Sequence, residues 1–236
     1  MKHKFTVDNA IILAAGFSSR FSPLSQIAPK GLWPVRGEIL IERQIRQLQE
    51  AGIKEIYLVT GYKKEKFDYL KEAFGVHLLE NPEFASRNNH SSIWTARDIL
   101  ANSYICSSDN YFTENVFSSQ EIGPYYSAVY GEGATEEYCL STEKDQRICK
   151  VVIGGHDSWY MLGHVLLDQK FSSKLLHLIE DAYDTPEIRP MLWEHIYMQH
   201  IDEFNLYMKK YDPDIILEFD SVKELASFDA YYQKYL

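Results

Sequence analysis

Residues 11–34 read IILAAGFSSRFSPLSQIAPKGLWP, and this stretch decides the fold. An apolar run, patterned as a strand buried on both faces, passes straight into Ala14-Ala15-Gly16. A polar loop carrying Arg20 follows and closes on Pro29-Lys30. A strand that delivers a turn of small residues lets the backbone approach phosphate oxygens closely. Arg20 and Lys30 supply the charge that a polyphosphate requires. The loop is not a dinucleotide fingerprint, because GxGxxG needs glycines where Ser18 and Ser19 stand. It is not a Walker A loop either, since GxxxxGK[ST] is absent. The plain alternative is an ordinary βα loop with turn-forming prolines. The acid-free run of Arg20, Pro23 and Pro29-Lys30 argues against it.

Outward from this stretch the chain alternates. Residues 9–15 predict a strand, and residues 38–51 a helix ending at Gly52. Residues 54–60 predict a second strand that runs into Gly61-Tyr62. A helix over 63–73, a strand over 76–79, a helix over 90–100 and a strand over 103–106 follow, the last entering Ser107-Ser108-Asp109. Such alternation predicts a parallel sheet with helices on both faces, where ligands bind at the carboxyl ends of strands. The second half differs. Strands over 125–130, 137–142, 147–153 and 159–167, joined by polar turns, predict mixed or antiparallel pairing. Helices over about 169–183 and 190–201 come next, then a strand over 215–219 ending at Asp220. Ser221 and Glu224 fit a capping box for a last helix. The reading is an α/β fold: a Rossmann-like, doubly wound, mostly parallel mixed sheet carrying an inserted sheet-and-helix lid. One domain spans 1–236, with a nucleotide-binding half over about 1–124, an acceptor-binding lid over about 125–205 and a closing strand and helix over 206–236.

The 236 residues carry a formal net charge of −10, which argues against a nucleic-acid partner. Between Asp8 and Glu38 there is no acidic residue, while Arg20, Lys30 and Arg36 fall inside, so the opening loop reads as a positive site in a negative protein. No apolar run has the length of a membrane span, and the N-terminus lacks a signal-peptide core. A cytoplasmic protein is expected. Cys106, Cys139 and Cys149 are spread out and suggest reduced thiols, not zinc ligands. The histidines are scattered, and no Ser-His-Asp or Cys-His arrangement is visible.

The pattern A-A-G-x-x-x-R-x-x-P followed by P-K resembles the nucleotidyltransferases that activate phosphorylated small molecules. The likeness continues through Leu32-Trp33-Pro34-Val35 and Ile41-Glu42-Arg43-Gln44. It covers nearly the whole chain. In Gly61-Tyr62-Lys63-Lys64, Asn88-Asn89, Ser108-Asp109-Asn110-Tyr111 and Glu218-Phe219-Asp220-Ser221 it leans toward the bacterial CTP:phosphocholine cytidylyltransferases. The resemblance implies a nucleotide-diphospho-sugar transferase type of fold, CTP and a phosphorylated amino alcohol as substrates, and Mg²⁺ as cofactor. It implies catalytic roles for Arg20 and Lys30. Leu13, Ala14, Ala15, Gly16, Gly61, Tyr62, Asn88, Asn89 and Ser108 would bind the nucleotide, and Asp109 and Asp220 the metal. Carboxylates at the ends of strands suit Mg²⁺, a hard cation that prefers oxygen ligands. Both aspartates could instead serve only a turn and a helix start.

Two departures stand out: Ser18-Ser19 replaces the usual Gly-Thr, and Ser107 replaces an acid that often precedes the metal-binding aspartate. Asp109 is therefore expected to be the one carboxylate at its strand end. The acceptor would be chosen in the aromatic second half, since a quaternary ammonium is recognised by aromatic faces and a nearby carboxylate. The resemblance implies Trp193-Glu194 as an aromatic-acid pair and Tyr138 as a further cage aromatic, with Trp159 a candidate among the second-half aromatics, while Leu192 stands where that family tends to place a tyrosine. The aromatics could equally be packing the sheet and lid. The rival readings are a cytidylyltransferase for 2-aminoethylphosphonate or phosphoethanolamine, a sugar-1-phosphate nucleotidyltransferase, and a non-catalytic nucleotide-binding regulator.

Overall fold

The computed structural model describes residues 4–236. In chain order the elements that build the site are β1 (Asn9–Ala14), α1 (Leu40–Glu50), β2 (Ile56–Thr60), α2 (Tyr69–Phe74), β3 (His77–Glu80), α3 (His90–Thr95), β4 (Ser103–Ser107) and β5 (Asn110–Phe112). They continue with β6 (Tyr125–Thr142), β7 (Ile148–Leu167), α4 (Gln169–Ala182), α5 (Trp193–Gln199), β8 (Tyr207–Tyr211), β9 (Ile216–Glu218) and α6 (Val222–Phe228). Seven strands form one mixed sheet in the order β8-β6-β7-β4-β1-β2-β3. β1 is parallel to both β2 and β4, and β2 is parallel to β3. β7 joins β4 antiparallel. The carboxyl ends of β1, β2 and β4 therefore open on one edge of the sheet, as the sequence predicts.

β1 is buried on both faces, and its alternation divides the core. Ala10, Ile12 and Ala14 pack in one cluster with Ile41, Ile45 and Leu48 of α1 and Leu70 of α2. Ile11 packs in a second cluster with Ile93 of α3, Phe171 and Leu175 of α4, and Trp193 and Ile196 of α5. Helices thus cover both faces. Among the described residues no helix is long and apolar enough to cross a membrane, and Cys106, Cys139 and Cys149 form no disulfide.

Three expectations need correction. The predicted helix 63–73 is a 3₁₀ turn over Lys64–Phe67 followed by the short α2, and the predicted helix 90–100 ends as α at Thr95. The four predicted strands of the second half are two long bulged ones, β6 and β7, paired antiparallel. Residues 143–147 make the hairpin turn between them, and the ladder absorbs the other turn-like residues as register shifts, with Gly133, Gly154 and Asp157 at positive φ. The strand before Asp220 is not part of the main sheet. β9 pairs antiparallel with β5, and this register sets Glu218 opposite Asn110, the residue after Asp109. Helix α6 then starts with the predicted capping box. Ser221 Oγ accepts from the Glu224 N–H at 3.2 Å, and the Glu224 carboxylate accepts from the Ser221 and Asp220 N–H groups. A cap of this kind is worth about 1 kcal/mol.

Candidate active site

The loop after β1 is held from below. Phe21 and Leu24 are buried with Tyr111, Phe219, Val222 and Leu225, a third apolar cluster that binds the loop to α6. This packing brings residues far apart in sequence to one point. Lys30, only 6% exposed, follows Pro29 at the start of a 3₁₀ turn. A Cβ on the next residue, Gly31, would lie 2.8 Å from the Ser108 carbonyl oxygen, so only glycine lets this turn rest on the end of β4. Ser18 takes a left-handed backbone, φ 52°, where a glycine would sit without strain.

Lys30 Nζ donates to Asp109 Oδ2 at 2.9 Å and to Asp220 Oδ1 at 3.2 Å. Arg20 Nη1 lies 2.8 Å from Asp220 Oδ2, with its side chain largely in solvent. Ser107 Oγ donates to the second oxygen of Asp109. Glu218 completes the group: one carboxylate oxygen from each of Asp109, Glu218 and Asp220 lies within 4.8 Å of the others. Asp109 is the one carboxylate at the end of β4, and Glu218 joins it from β9 through the β9–β5 pairing. One expectation is corrected here: the loop is not simply positive, because Arg20 and Lys30 face three acids. Arg36 turns away and stacks on Phe228.

These charges shift one another. Burial opposes the Lys30 charge, but Asp109 and Asp220 outweigh it and raise the ammonium above its usual value. Burial likewise opposes ionisation of Asp109, but Lys30 and the Ser107 hydroxyl hold the carboxyl below the usual carboxylate range. Glu218 goes the other way: desolvation and the Asp109 charge push it up to about 8. Three hard oxygen donors with excess negative charge fit a divalent cation of the Mg²⁺ class and do not fit a soft one.

A cleft of about 740 Å³ opens from this cluster, lined by Leu13, Ala14, Ala15, Gly16, Ser18, Arg20, Lys30, Asn81, Phe84, Asn88, Asn89, Ser92, Ser108, Asp109, Tyr126, Trp193, Glu194 and Asp220. Gly61 and Tyr62 lie behind this lining. The Tyr62 N–H donates to the Ala15 carbonyl at 3.0 Å, and a Cβ on Gly61 would come within 2.6 Å of Phe84. They support the loop from outside. In the same lining Glu194 is pushed up to about 7 by burial, against the opposing bonds from its own backbone, Asn89 and Tyr126. The Trp193 and Tyr126 rings lie nearly parallel, 6.1 Å between centroids. Tyr138 and Trp159 are not brought into the lining. Tyr138 hydroxyl pairs with His195 Nε2 at 2.8 Å, and Trp159 packs edge-on to Tyr130 beneath Lys210. The sequence reading missed Glu218, Asn81 and Phe84, and did not single out Tyr126 among the second-half aromatics. For Glu218 the signal was partial: it ends its strand two residues before Asp220.

A MobA-like NTP transferase domain matches residues 10–112. Over 93% of its length the chain is 35% identical to the choline-phosphate cytidylyltransferase of Streptococcus pneumoniae, of which it covers 96%. It belongs to the cytidylyltransferase family of nucleotidyltransferases. The chain is 34% identical to the 2-aminoethylphosphonate cytidylyltransferase of Lancefieldella rimae, covering 95% of this chain and 93% of that one. The solved structure of the Streptococcus pneumoniae CTP:phosphocholine cytidylyltransferase superposes with a TM-score of 0.91 at 34% identity, covering 95% of this chain and 99% of that one. The inositol-1-phosphate CTP transferase of T. maritima, at 18% identity and a TM-score of 0.74, shares the nucleotide-diphospho-sugar transferase fold. This cytidylyltransferase therefore has relatives of nearly equal identity that differ in acceptor.

Proposed function

We propose that the enzyme transfers a cytidylyl group from CTP to a phosphorylated small amino alcohol, with phosphocholine as acceptor and CDP-choline and pyrophosphate as products. The observation that carries this reading is one cleft lined both by Lys30, Asp109 and Asp220 and by Tyr126, Trp193 and Glu194. An oxygen of the acceptor phosphate forms a bond to the α-phosphorus of CTP. The bond from that phosphorus to the bridging oxygen breaks, and pyrophosphate carries the electron pair away. Little covalent work falls to the protein in such transfers, so positioning and charge dominate. Lys30 is held by two carboxylates and offers a fixed positive charge to the phosphates. Arg20, exposed at the mouth, can swing from Asp220 to the triphosphate. Asp109, Glu218 and Asp220 would hold Mg²⁺, which supplies charge neutralisation at the phosphates when bound. The backbone at Leu13–Gly16 and Ser108 faces the nucleotide. Glu194 is the counter-ion for the acceptor's ammonium, beside the Trp193–Tyr126 pair. An enzyme that consumes CTP in this way belongs in the cytoplasm.

A second reading keeps the chemistry and takes 2-aminoethylphosphonate as acceptor. It is favoured by the Lancefieldella rimae relative and by Leu192 in place of the tyrosine usual in choline enzymes. Pyrophosphate release with CTP and Mg²⁺, measured against phosphocholine, phosphoethanolamine, 2-aminoethylphosphonate and glucose-1-phosphate, separates them. We expect turnover with phosphocholine well above the other three. Release with none of them would leave a nucleotide-binding regulator as the better description.

A further inference from the structure

Asn89 stands on the wall of the cleft that the sequence assigns to the nucleotide, yet both ends of its side-chain amide are occupied by the acceptor helix. Its Oδ1 accepts from the Trp193 N–H at 2.8 Å, and its Nδ2 donates to Glu194 Oε2 at 3.2 Å. Tyr126 of β6 donates its hydroxyl to the other oxygen, Glu194 Oε1, at 3.3 Å. Each oxygen of the carboxylate thus receives one side-chain donor, and the donors come from two elements outside α5. We infer that Asn89 and Tyr126 are positioning residues for Glu194, fixing its carboxylate as the counter-ion of the acceptor's ammonium, and that Asn89 serves the acceptor end of the cleft.

The surroundings of Asn89 agree. Asn88 spends its own amide on the protein: Nδ2 donates to the Pro190 carbonyl at 3.0 Å and Oδ1 accepts from the Asn89 N–H at 2.8 Å. The Asn88 N–H donates to the Arg189 carbonyl, and His90 Nδ1 pairs with the Met191 carbonyl at 2.7 Å. The segment before α3 is laced along the segment before α5, so the two cannot move independently. A buried carboxylate can accept about four hydrogen bonds. With Asn89, Tyr126 and the Glu194 backbone N–H as donors, one acceptor position on Glu194 remains for a ligand. The titratable groups that face it are Tyr126 from β6 and Tyr138 from the far part of the same strand, both raised by burial and by the Glu194 charge. His195, next on α5, is turned to Tyr138. The two donors favour the ionised form of Glu194, against the burial that disfavours it.

This inference rests on the reading that Glu194 meets the ammonium. The test is steady-state kinetics at saturating CTP and Mg²⁺, with phosphocholine as probe and 2-aminoethylphosphonate as the second. CTP affinity is measured separately by calorimetry. Asn89→Ala should raise the acceptor KM about tenfold, the loss expected for one hydrogen bond to a buried charge. It should leave CTP affinity within about twofold and move the acid limb of kcat/KM for the acceptor up by about one pH unit. The acceptor's own phosphate titrates identically with every variant and cancels in the difference. Tyr126→Phe keeps the ring against Trp193 and should move the limb in the same direction, which covers the case that Asn89→Ala folds poorly. In Glu194→Gln the Glu194 component of the limb should vanish, leaving that of the acceptor phosphate alone. A limb that stays in place in both donor variants while Glu194→Gln raises the acceptor KM overturns the positioning role alone. Loss of CTP affinity equal to the loss of acceptor affinity returns Asn89 to the nucleotide and overturns it as well. An unchanged acceptor KM in Glu194→Gln overturns this role and the ammonium reading together.

Discussion

Lys30 is where a single side chain carries most consequence. It is nearly buried, it bonds one carboxylate from the middle of the chain and one from near its C-terminus, and Gly31 is bare so that its turn can reach them. Lys30→Ala should lower kcat/KM by about 10²–10³, the usual loss for one fixed charged contact to a transition state. Lys30→Arg should recover little, because a planar guanidinium cannot replace a compact ammonium between Asp109 and Asp220. Pyrophosphate release against CTP concentration measures both, and near-normal turnover in either variant would remove Lys30 from the chemistry. Lys30, Asp109 and Asp220 could be read from the chain because each sits in a short local motif. Glu218 could not be placed so directly. Its membership depends on β9 pairing with β5 rather than joining the main sheet, and no local pattern encodes that pairing.

At the scale of elements, two glycines at the carboxyl edge of the sheet do different work. A Cβ on Gly16 meets nothing within 4 Å, so its bareness faces the open cleft. A Cβ on Gly61 would collide with Phe84 at 2.6 Å and the Ala15 carbonyl at 2.9 Å, so its bareness serves packing. Gly16→Ala should therefore melt like wild type and weaken CTP binding. Gly61→Ala should cost about 1–3 kcal/mol of stability, as overpacking does, with CTP binding falling through displacement of the loop. Denaturant unfolding together with CTP calorimetry on both variants decides the matter; equal stability losses would erase the distinction. The β-α alternation of the first half was legible because the strands over 9–15, 54–60, 76–79 and 103–106 and the helix over 38–51 are each marked by period and length, while the helices over 63–73 and 90–100 came out shorter than predicted. The second half was less so. β6 and β7 carry glycines and polar residues that read as turns locally, but a partner strand keeps them in one ladder as register shifts. Tyr138 and Trp159 show the same limit: composition marked them for the acceptor, while the bulged ladder sets them outside the cleft lining.

For the whole molecule, the site adds a pH-dependent load to folding. Glu218 is raised from 4.5 to about 8 and Glu194 from 4.5 to about 7, so the folded state favours the neutral form of both. Their contribution is full below 4.5 and is lost as pH rises toward these values. His164 acts oppositely: burial lowers it from 6.5 to about 3, so its contribution is present above 6.5 and lost on acidification. The wild-type stability curve mixes these trends, and the difference between wild type and Glu218→Gln isolates one of them. Without divalent cation the variant should melt with wild type at the acid end, near 4.5, and above it at the alkaline end, past about 8. Mg²⁺ should narrow or reverse that gap, because a cation binding only the folded state stabilises the form with the complete carboxylate set. Thermal melts of both proteins across this range, with and without Mg²⁺, provide the measurement. A difference that stays flat with pH would show that Glu218 ionises normally and that the three carboxylates do not act as one group. A pH-dependent difference that Mg²⁺ leaves untouched would keep the electrostatic coupling and remove the metal from it.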